Sequence, residues 1–359
     1  MRRFQQNYIS ISPYRNNSVI SMFSLAFVSQ QLSSSTALCS CSLAITLLFS
    51  SFWGNDSVRH HANENGSWES YDHYLRRLTV PLGEEFQVNT YVSGNQLDPD
   101  VCALQDGSFV ITWYSTDQDG SGHGIYAQHF SASGDPVGNE FLVNTHTTDY
   151  QSIPSIGALT GGGYVITWSS FGQDGSEYGV YAQLFTSADA PDGPEFRVNT
   201  HTTYSQHYSV TASLTTGGFV IAWVSYEQDG WSTGIYAQNY ASDGSIVGSE
   251  FRVNTYTNND QDLPAIAGLA DGGFVIAWQS DGQDGSGDGI YAQRYTSSGV
   301  TTGSEFHVST DTMGPQELAA VAGLTNGGFV IIWESIGGEL LEIYAQMYSS
   351  SGIAVGSQF

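Results

Sequence analysis

Four Gln-Asp-Gly turns carry most of the side chains in this sequence that could do chemistry. They place Asp119, Asp174, Asp229 and Asp284 at intervals of 55 residues. The first turn adds Asp117, and the fourth adds Asp281 and Asp288. Hard carboxylate oxygens on one glycine-rich loop are what Ca2+ requires. Asp117, Asp119, Asp281, Asp284 and Asp288 are therefore candidate calcium ligands. The spacing is not that of an EF-hand, and the fifth copy offers Glu339 and Glu342 instead of a turn aspartate. Asp before Gly is also a turn former whose carboxylate bonds nearby backbone N–H groups, so a purely structural reading stands beside the metal one.

A second set recurs at the same interval: Gln96, Gln151, Gln206, Gln261 and Gln316. Trp231, Tyr178, Tyr226 and His123 decorate the neighbouring loops. Aromatic faces beside planar polar groups suit a sugar, so the five glutamines and Trp231 are candidate ligand-binding residues. No G-x-S-x-G, H-E-x-x-H or P-loop motif is present, and there is no lysine to act as a nucleophile. A sialidase-like hydrolase would need clustered arginines, whereas Arg197 and Arg252 occupy one equivalent site in two repeats. Catalysis needs residues in unequal roles, while near-identical loops suit repeated weak binding. The expectation is a protein that is not an enzyme.

The elements that must position these residues are repeats. A start motif recurs as G-E-E-F-Q-V-N-T at 83–90, G-N-E-F-L-V-N-T at 138–145, G-P-E-F-R-V-N-T at 193–200, G-S-E-F-R-V-N-T at 248–255 and G-S-E-F-H-V-S-T at 303–310. The repeats run 83–137, 138–192, 193–247, 248–302 and 303–355, with a stub G-S-Q-F at 356–359. Within each, a small-residue run, a run such as Phe274–Trp278, a run such as Ile290–Tyr295 and the E-F motif read as four short strands. Asp271-Gly272-Gly273 supplies a hairpin turn between the first two.

Four sequential strands per repeat predict an all-β, propeller-like array of five four-stranded blades in residues 83–359. A β-solenoid or a truncated larger propeller are the alternatives. Trp113, Trp168, Trp223, Trp278 and Trp333 fall at one equivalent position and should pack between blades. Residues 84–89 are expected to complete the fifth blade and close the ring.

Residues 1–80 do not match the repeats. Arg2, Arg3 and Arg15 precede a stretch without charge from Asn16 to Asn55, in which 37–53 is mostly apolar. A basic start before an apolar run is the pattern of an export signal or membrane anchor, followed here by an irregular linker. Cys39 and Cys41 are too close for an ordinary disulfide, and Cys102 aligns with Gly157 and three alanines, as a small packing residue does. From residue 83 onward, 31 acidic residues face three arginines. Such a surface repels nucleic acids and anionic membranes and attracts cations.

G-G-F-V-I-A-W at 272–278, Q-D-G-S-G-D-G-I-Y-A-Q at 283–293 and the G-x-E-F-x-V-N-T starts resemble repeats of large bacterial secreted or cell-surface proteins. Those proteins often also carry hemolysin-type (RTX) calcium-binding repeats. The resemblance covers about three quarters of the chain, and four of five copies keep the full motif. It implies an extracellular module with no assigned catalytic activity. The RTX nonapeptide array is absent, and only G-S-G-D-G at 285–289 echoes it, so calcium binding does not follow from the resemblance. The expected function is a non-catalytic module for binding or adhesion, its partner a glycan or a cell-surface protein. A calcium-stabilised structural module and a lectin-like propeller are the alternatives.

Overall fold

The computed structural model describes residues 84–359 except 311, 313, 338 and 339. The expected export signal and linker of residues 1–80, and Glu339, lie outside the described residues. Blade 1 comprises β1 (Gln96–Ala103), β2 (Phe109–Thr116), β3 (His123–Phe130) and β4 (Pro136–Leu142). Blade 2 has β5 (Gln151–Ala158), β6 (Tyr164–Phe171), β7 (Tyr178–Phe185) and β8 (Phe196–Arg197). Blade 3 has β9 (Gln206–Ser213), β10 (Phe219–Tyr226), β11 (Thr233–Tyr240) and β12 (Ile246–Arg252). Blade 4 has β13 (Gln261–Gly268), β14 (Phe274–Asp281), β15 (Asp288–Tyr295) and β16 (Thr301–His307). Blade 5 has β17 (Gln316–Gly323), β18 (Phe329–Gly337), β19 (Leu340–Tyr348) and β20 (Ala354–Val355).

Each blade is one antiparallel sheet whose strands lie in sequence order, as tight hairpins dictate. The solenoid alternative falls on that pattern. The first strands line up side by side, β1 against β5, β5 against β9, β9 against β13 and β13 against β17. Among the described residues β17 does not pack on β1 in this way.

The core lies between blades, because each sheet buries both faces. Val110, Ile125, Ala127 and Val143 of one blade meet Ile166, Trp168, Tyr181 and Phe185 of the next. Trp168, Trp223 and Trp278 have no exposed surface, and Trp113 and Trp333 are also buried. The outer-strand phenylalanines add a second tie. Phe141, Phe196, Phe251 and Phe306 each set a ring 5.2–5.5 Å from an aromatic ring of the following blade.

Residues 84–89 do not join blade 5. β19 pairs with β20, and Ala345 exchanges two backbone hydrogen bonds with Phe359. The later copy of the motif reaches this slot through a short hairpin, which costs little closure entropy. Phe86 instead packs 5.3 Å from Phe130, and Val88 joins the blade 1 cluster. The segment thus takes the role that each outer strand plays toward its successor.

Candidate functional site

Antiparallel order puts the β1–β2 and β3–β4 hairpins of every blade on one face. The β2–β3 loops and the inter-blade linkers lie on the other. The first strand of each blade enters the sheet from this loop face, and there it departs from a regular ladder. The register slips between Leu97 and Asp100 in β1 and at the equivalent place in the other four blades. The bulged residues Asp98, Ile153, Tyr208, Leu263 and Leu318 all have left-handed backbones, with φ of 49–55°. An L-residue there costs about 1–2 kcal/mol, and a bulge re-aims its side chain. These five residues lie at the loop-face end of the first strands, which stand side by side and so line the mouth of the array, together with Leu97, Ser152, His207, Asp262 and Glu317 just before them. The blades are near-copies over most of their length, and here they differ.

The mouth gathers acids and tyrosines from several blades. Burial, then the charges of Asp98 in blade 1 and Asp262 in blade 4, push the Tyr208 hydroxyl of blade 3 up. Burial, then Asp98 and Tyr178, lift Tyr114 to about 12. Burial, then Tyr150 and Tyr208, raise Tyr178. Tyr114 stacks 4.7 Å from His123, which meets the Tyr150 ring edge-on at 4.9 Å. Tyr150 and Tyr208 remain substantially exposed. Asp262 is half-buried, and burial, then neighbouring Asp260, push its carboxyl up to about 6. His207 sits 4.7 Å from the Tyr208 ring with no hydrogen-bond partner on Nδ1, and burial drives its pKa down to about 4. A carboxyl raised toward neutral pH, an acid from another blade and tyrosine rings thus act on one another across the mouth, a combination that could serve acid–base chemistry.

The recurring glutamines do not face this site. Gln151, Gln206, Gln261 and Gln316 are fully buried. Gln151, Gln206 and Gln261 accept from the Asn of the N-T motif, and Gln316 accepts from Ser309; the amide of each donates to a backbone carbonyl two or three residues back. Gln96, half-buried, does the same with Asn89 and Ser93. They anchor the linkers. Trp231 is exposed on the loop face.

The Gln-Asp-Gly aspartates cap their own turns. Asp119, Asp174, Asp229 and Asp284 each accept the backbone N–H two residues on. Asp117 has φ of 58° at the head of its loop. The strands run further into the fourth loop than the sequence suggests, so Asp281 and Asp288 end as a cross-strand pair. Asp284 turns away toward His307, 3.8 Å from its Nε2. Among the described residues no three His, Cys, Asp or Glu side chains are placed to hold a metal ion.

A different constellation lies on the hairpin face. His129 Nδ1 is 3.0 Å from Asp189 Oδ2, and its Nε2 is 2.8 Å from Ser108 Oγ. Ser108, His129 and Asp189 are the residue types of nucleophilic acyl transfer. The Ser108 hydroxyl, however, donates to Asp106 at 2.5 Å, and a hydroxyl has one proton. Tyr164 completes the cluster by donating to Asp189 at 2.7 Å. The group ties blade 1 to blade 2.

No family model and no curated protein matches the sequence. Among solved structures, a Dyadobacter fermentans protein of unknown function is similar with a TM-score of 0.52 and 12% identity, over 72% of this chain and 81% of that one. An α-L-arabinofuranosidase from Lactobacillus brevis gives 0.43 and 11%, over 72% and 93%. The family GH93 α-L-arabinofuranosidase of Fusarium graminearum, solved with arabinobiose, gives 0.48 and 14%, over 72% and 79%. At these identities the likeness is one of fold. The expectation of a non-catalytic binding or adhesion module is not upheld: glycoside hydrolases stand among the similar structures, and at these scores they speak to the fold and not to an activity of this chain. The argument from near-identical loops fails as well, since the blades hold unequal residues at the mouth.

Proposed function

We propose that this propeller acts on carbohydrate at the mouth of its axis. One observation carries the reading: the charges of Asp98 of blade 1 and Asp262 of blade 4 both act on the Tyr208 hydroxyl of blade 3, at the strained entry of the inner strands. Glycoside hydrolysis uses two carboxyl groups, one of which must hold a proton near neutral pH. Asp262, which burial and neighbouring Asp260 raise to about 6, is the carboxyl that holds a proton further toward neutral pH in this reading. Asp98 is the partner carboxylate in this reading, and Tyr114, Tyr150, Tyr178 and Tyr208 are the faces that hold a sugar ring. The acidic, lysine-free surface supports an extracellular setting.

The test is release of reducing ends from arabino-, xylo- and gluco-oligosaccharides by wild type, Asp98→Asn and Asp262→Asn, with binding measured in parallel. Turnover that falls at least about a hundredfold in both variants is expected, in line with general acid–base contributions. Binding without turnover in wild type would leave recognition and remove hydrolysis. Neither binding nor turnover would remove the reading.

A further inference from the structure

A belt of aromatic rings crosses the loop face of blades 1, 2 and 3. In blade 1 Tyr114 stacks on His123, and Tyr150 of the following linker meets His123 edge-on. The Tyr150 carbonyl accepts from Phe171 N at 2.9 Å, and Phe171 meets Tyr178 edge-on at 5.1 Å, which carries the belt into blade 2. The next linker is tied to the blade 2 loop, where Ser176 Oγ donates to Tyr204 O and Ser205 Oγ to Glu177 Oε2. From that linker the Tyr204 ring meets Tyr226 of blade 3 edge-on at 6.0 Å. Trp231 stands on the loop just beyond, 56% exposed, and Tyr150, Phe171, Tyr204 and Tyr226 are 36–45% exposed. An edge-on contact fixes a ring without covering its faces. The belt stops at blade 4, which has Asn259, Asp281 and Asp288 in place of Tyr204, Tyr226 and Tyr178. Trp231 stands where blades 1, 2 and 4 have Ser121, Ser176 and Ser286. Blade 4 forms the same four-stranded sheet without these rings, so the frame does not require them. Contiguous exposed aromatic surface of this kind marks a contact site.

We propose that the belt holds the length of an uncharged polysaccharide of which one segment lies at the mouth. The inference rests on the carbohydrate reading above and sharpens its substrate class from a short sugar to a polymer. Charge favours a neutral chain: Asp149, Glu177 and Glu227, next in sequence to Tyr150, Tyr178 and Tyr226, are exposed, so an anionic partner is repelled while sugar hydroxyls find acceptors. Repetition favours a polymer, because one group of rings per blade matches a ligand that itself repeats, and several weak contacts on one chain add by avidity. Position favours the same ligand as the mouth, since the belt begins at Tyr114, Tyr150 and Tyr178.

The experiment measures binding of soluble arabinan, arabinoxylan and mixed-linkage β-glucan against the hexasaccharide of each backbone, with polygalacturonate as the anionic control and polymer concentrations counted in hexasaccharide equivalents. At least one neutral polymer is expected to bind about tenfold or more tighter than its own hexasaccharide. That ratio should fall toward one in the triple variant Tyr204→Asn, Tyr226→Thr, Trp231→Ser, which takes residues that other blades hold at the same positions, Asn259, Thr116 and Ser121. Should the triple variant melt early, Trp231→Ser alone carries the test and should lower the ratio at least about twofold. A ratio near one for every neutral polymer in wild type would overturn the belt, and hexasaccharide binding would leave the mouth reading standing. A ratio unchanged in the variants would also overturn it. Tighter binding of polygalacturonate than of the neutral polymers would overturn the uncharged class. Belt-dependent polymer binding without hydrolysis of any oligosaccharide would uphold the belt and remove turnover at the mouth. Failure of every polymer and hexasaccharide to bind would overturn both readings.

Discussion

The two faces of the array use departures from the repeat in opposite ways. On the hairpin face, Ser108 stands where the other blades have Gly163, Gly218, Gly273 and Gly328. A Cβ on any of those glycines would collide with the carbonyl oxygen ending the third strand. Asp189 stands, at φ of 60°, where the others have glycine, and Tyr164 stands where they have phenylalanine. His129 replaces Leu184, Asn239, Arg294 or Met347. These departures answer one another: every new polar group finds a partner in the same cluster. Arg294 with Asp271 is a second, simpler case, at 3.1 Å. On the loop face, departures put acid beside acid and acid beside tyrosine, and the carboxyl and hydroxyl groups respond by holding their protons. Compensated departures build structure. Departures that gather like charges on a strained backbone mark where a function can be held.

The largest expected effect lies in neither face but in what all blades share. Trp223→Ala should cost about 3–5 kcal/mol, because the ring is fully enclosed between blades 2 and 3. Chemical denaturation checks it, and a near-wild-type midpoint would break the premise that the shared residues are the frame.

Asp262→Asn sharpens the loop-face side. The folded carboxyl titrates near 6, against an ordinary 3.8. The folded state thus holds its proton longer than the unfolded one. This group's contribution to stability is therefore full below the ordinary value and falls as pH rises to about 6. The amide cannot ionise, so the variant should be more stable than wild type above pH 6, by at most about 3 kcal/mol. Parallel stability curves across that range would mean that Asp262 is solvated, and the contrast between faces would go with it.

Asp189→Ala addresses the hairpin face. It keeps a left-handed residue but removes the partners of His129 and Tyr164, so a loss of about 1–3 kcal/mol is expected. A cycle with His129→Leu, the residue type of blade 2, should show coupling of at least about 0.5 kcal/mol. Saccharide binding should not change in either variant. A loss of binding would mean that this face, too, serves a ligand.

The repeat, its four strands, the interblade tryptophans and the hairpins are legible in the sequence because they recur. Every blade needs Trp168 or its equivalent, so the spacing announces it. The candidate site was hidden for the same reason. Gln151, Gln206, Gln261 and Gln316 recur because each linker needs a buried anchor, and recurrence drew them into the ligand-binding set. The bulge carries no glycine, and Asp98, Ile153, Tyr208, Leu263 and Leu318 mix an acid, an aromatic and three aliphatics, so no single motif marks it. The available signal was the reverse of a motif. After each recurring glutamine comes a pair of residues that is different in every copy, Leu-Asp, Ser-Ile, His-Tyr, Asp-Leu and Glu-Leu. In a chain of near-copies, variation next to invariance is where unequal roles can be held.

The smallest effect concerns a carboxylate of the opposite kind, one present in four blades. Glu195 accepts from Thr145 N of the preceding linker at 2.6 Å and from Gln173 Nε2 of its own loop at 2.6 Å. Glu140, Glu250 and Glu305 make the same clip to Thr90, Thr200 and Thr255. In blade 5 the position is Gln358, which still accepts from Thr310 N, at 2.9 Å. The fold has therefore already tried the amide. Glu195→Gln should keep the bond to Thr145. Its new N–H2 can then meet Gln173 Oε1, a buried acceptor that otherwise has no partner, once that amide turns over. The expected cost is below about 1 kcal/mol. Glu195→Ala, which removes the bonds to both neighbours, should cost more than the glutamine variant but less than Asp189→Ala, because the clip is solvent-exposed on the Thr145 side. Thermal melts of the three variants give the order directly. If Glu195→Gln proves as damaging as Glu195→Ala, the negative charge itself matters. The shared glutamates would then belong with the acids of the mouth rather than with the frame.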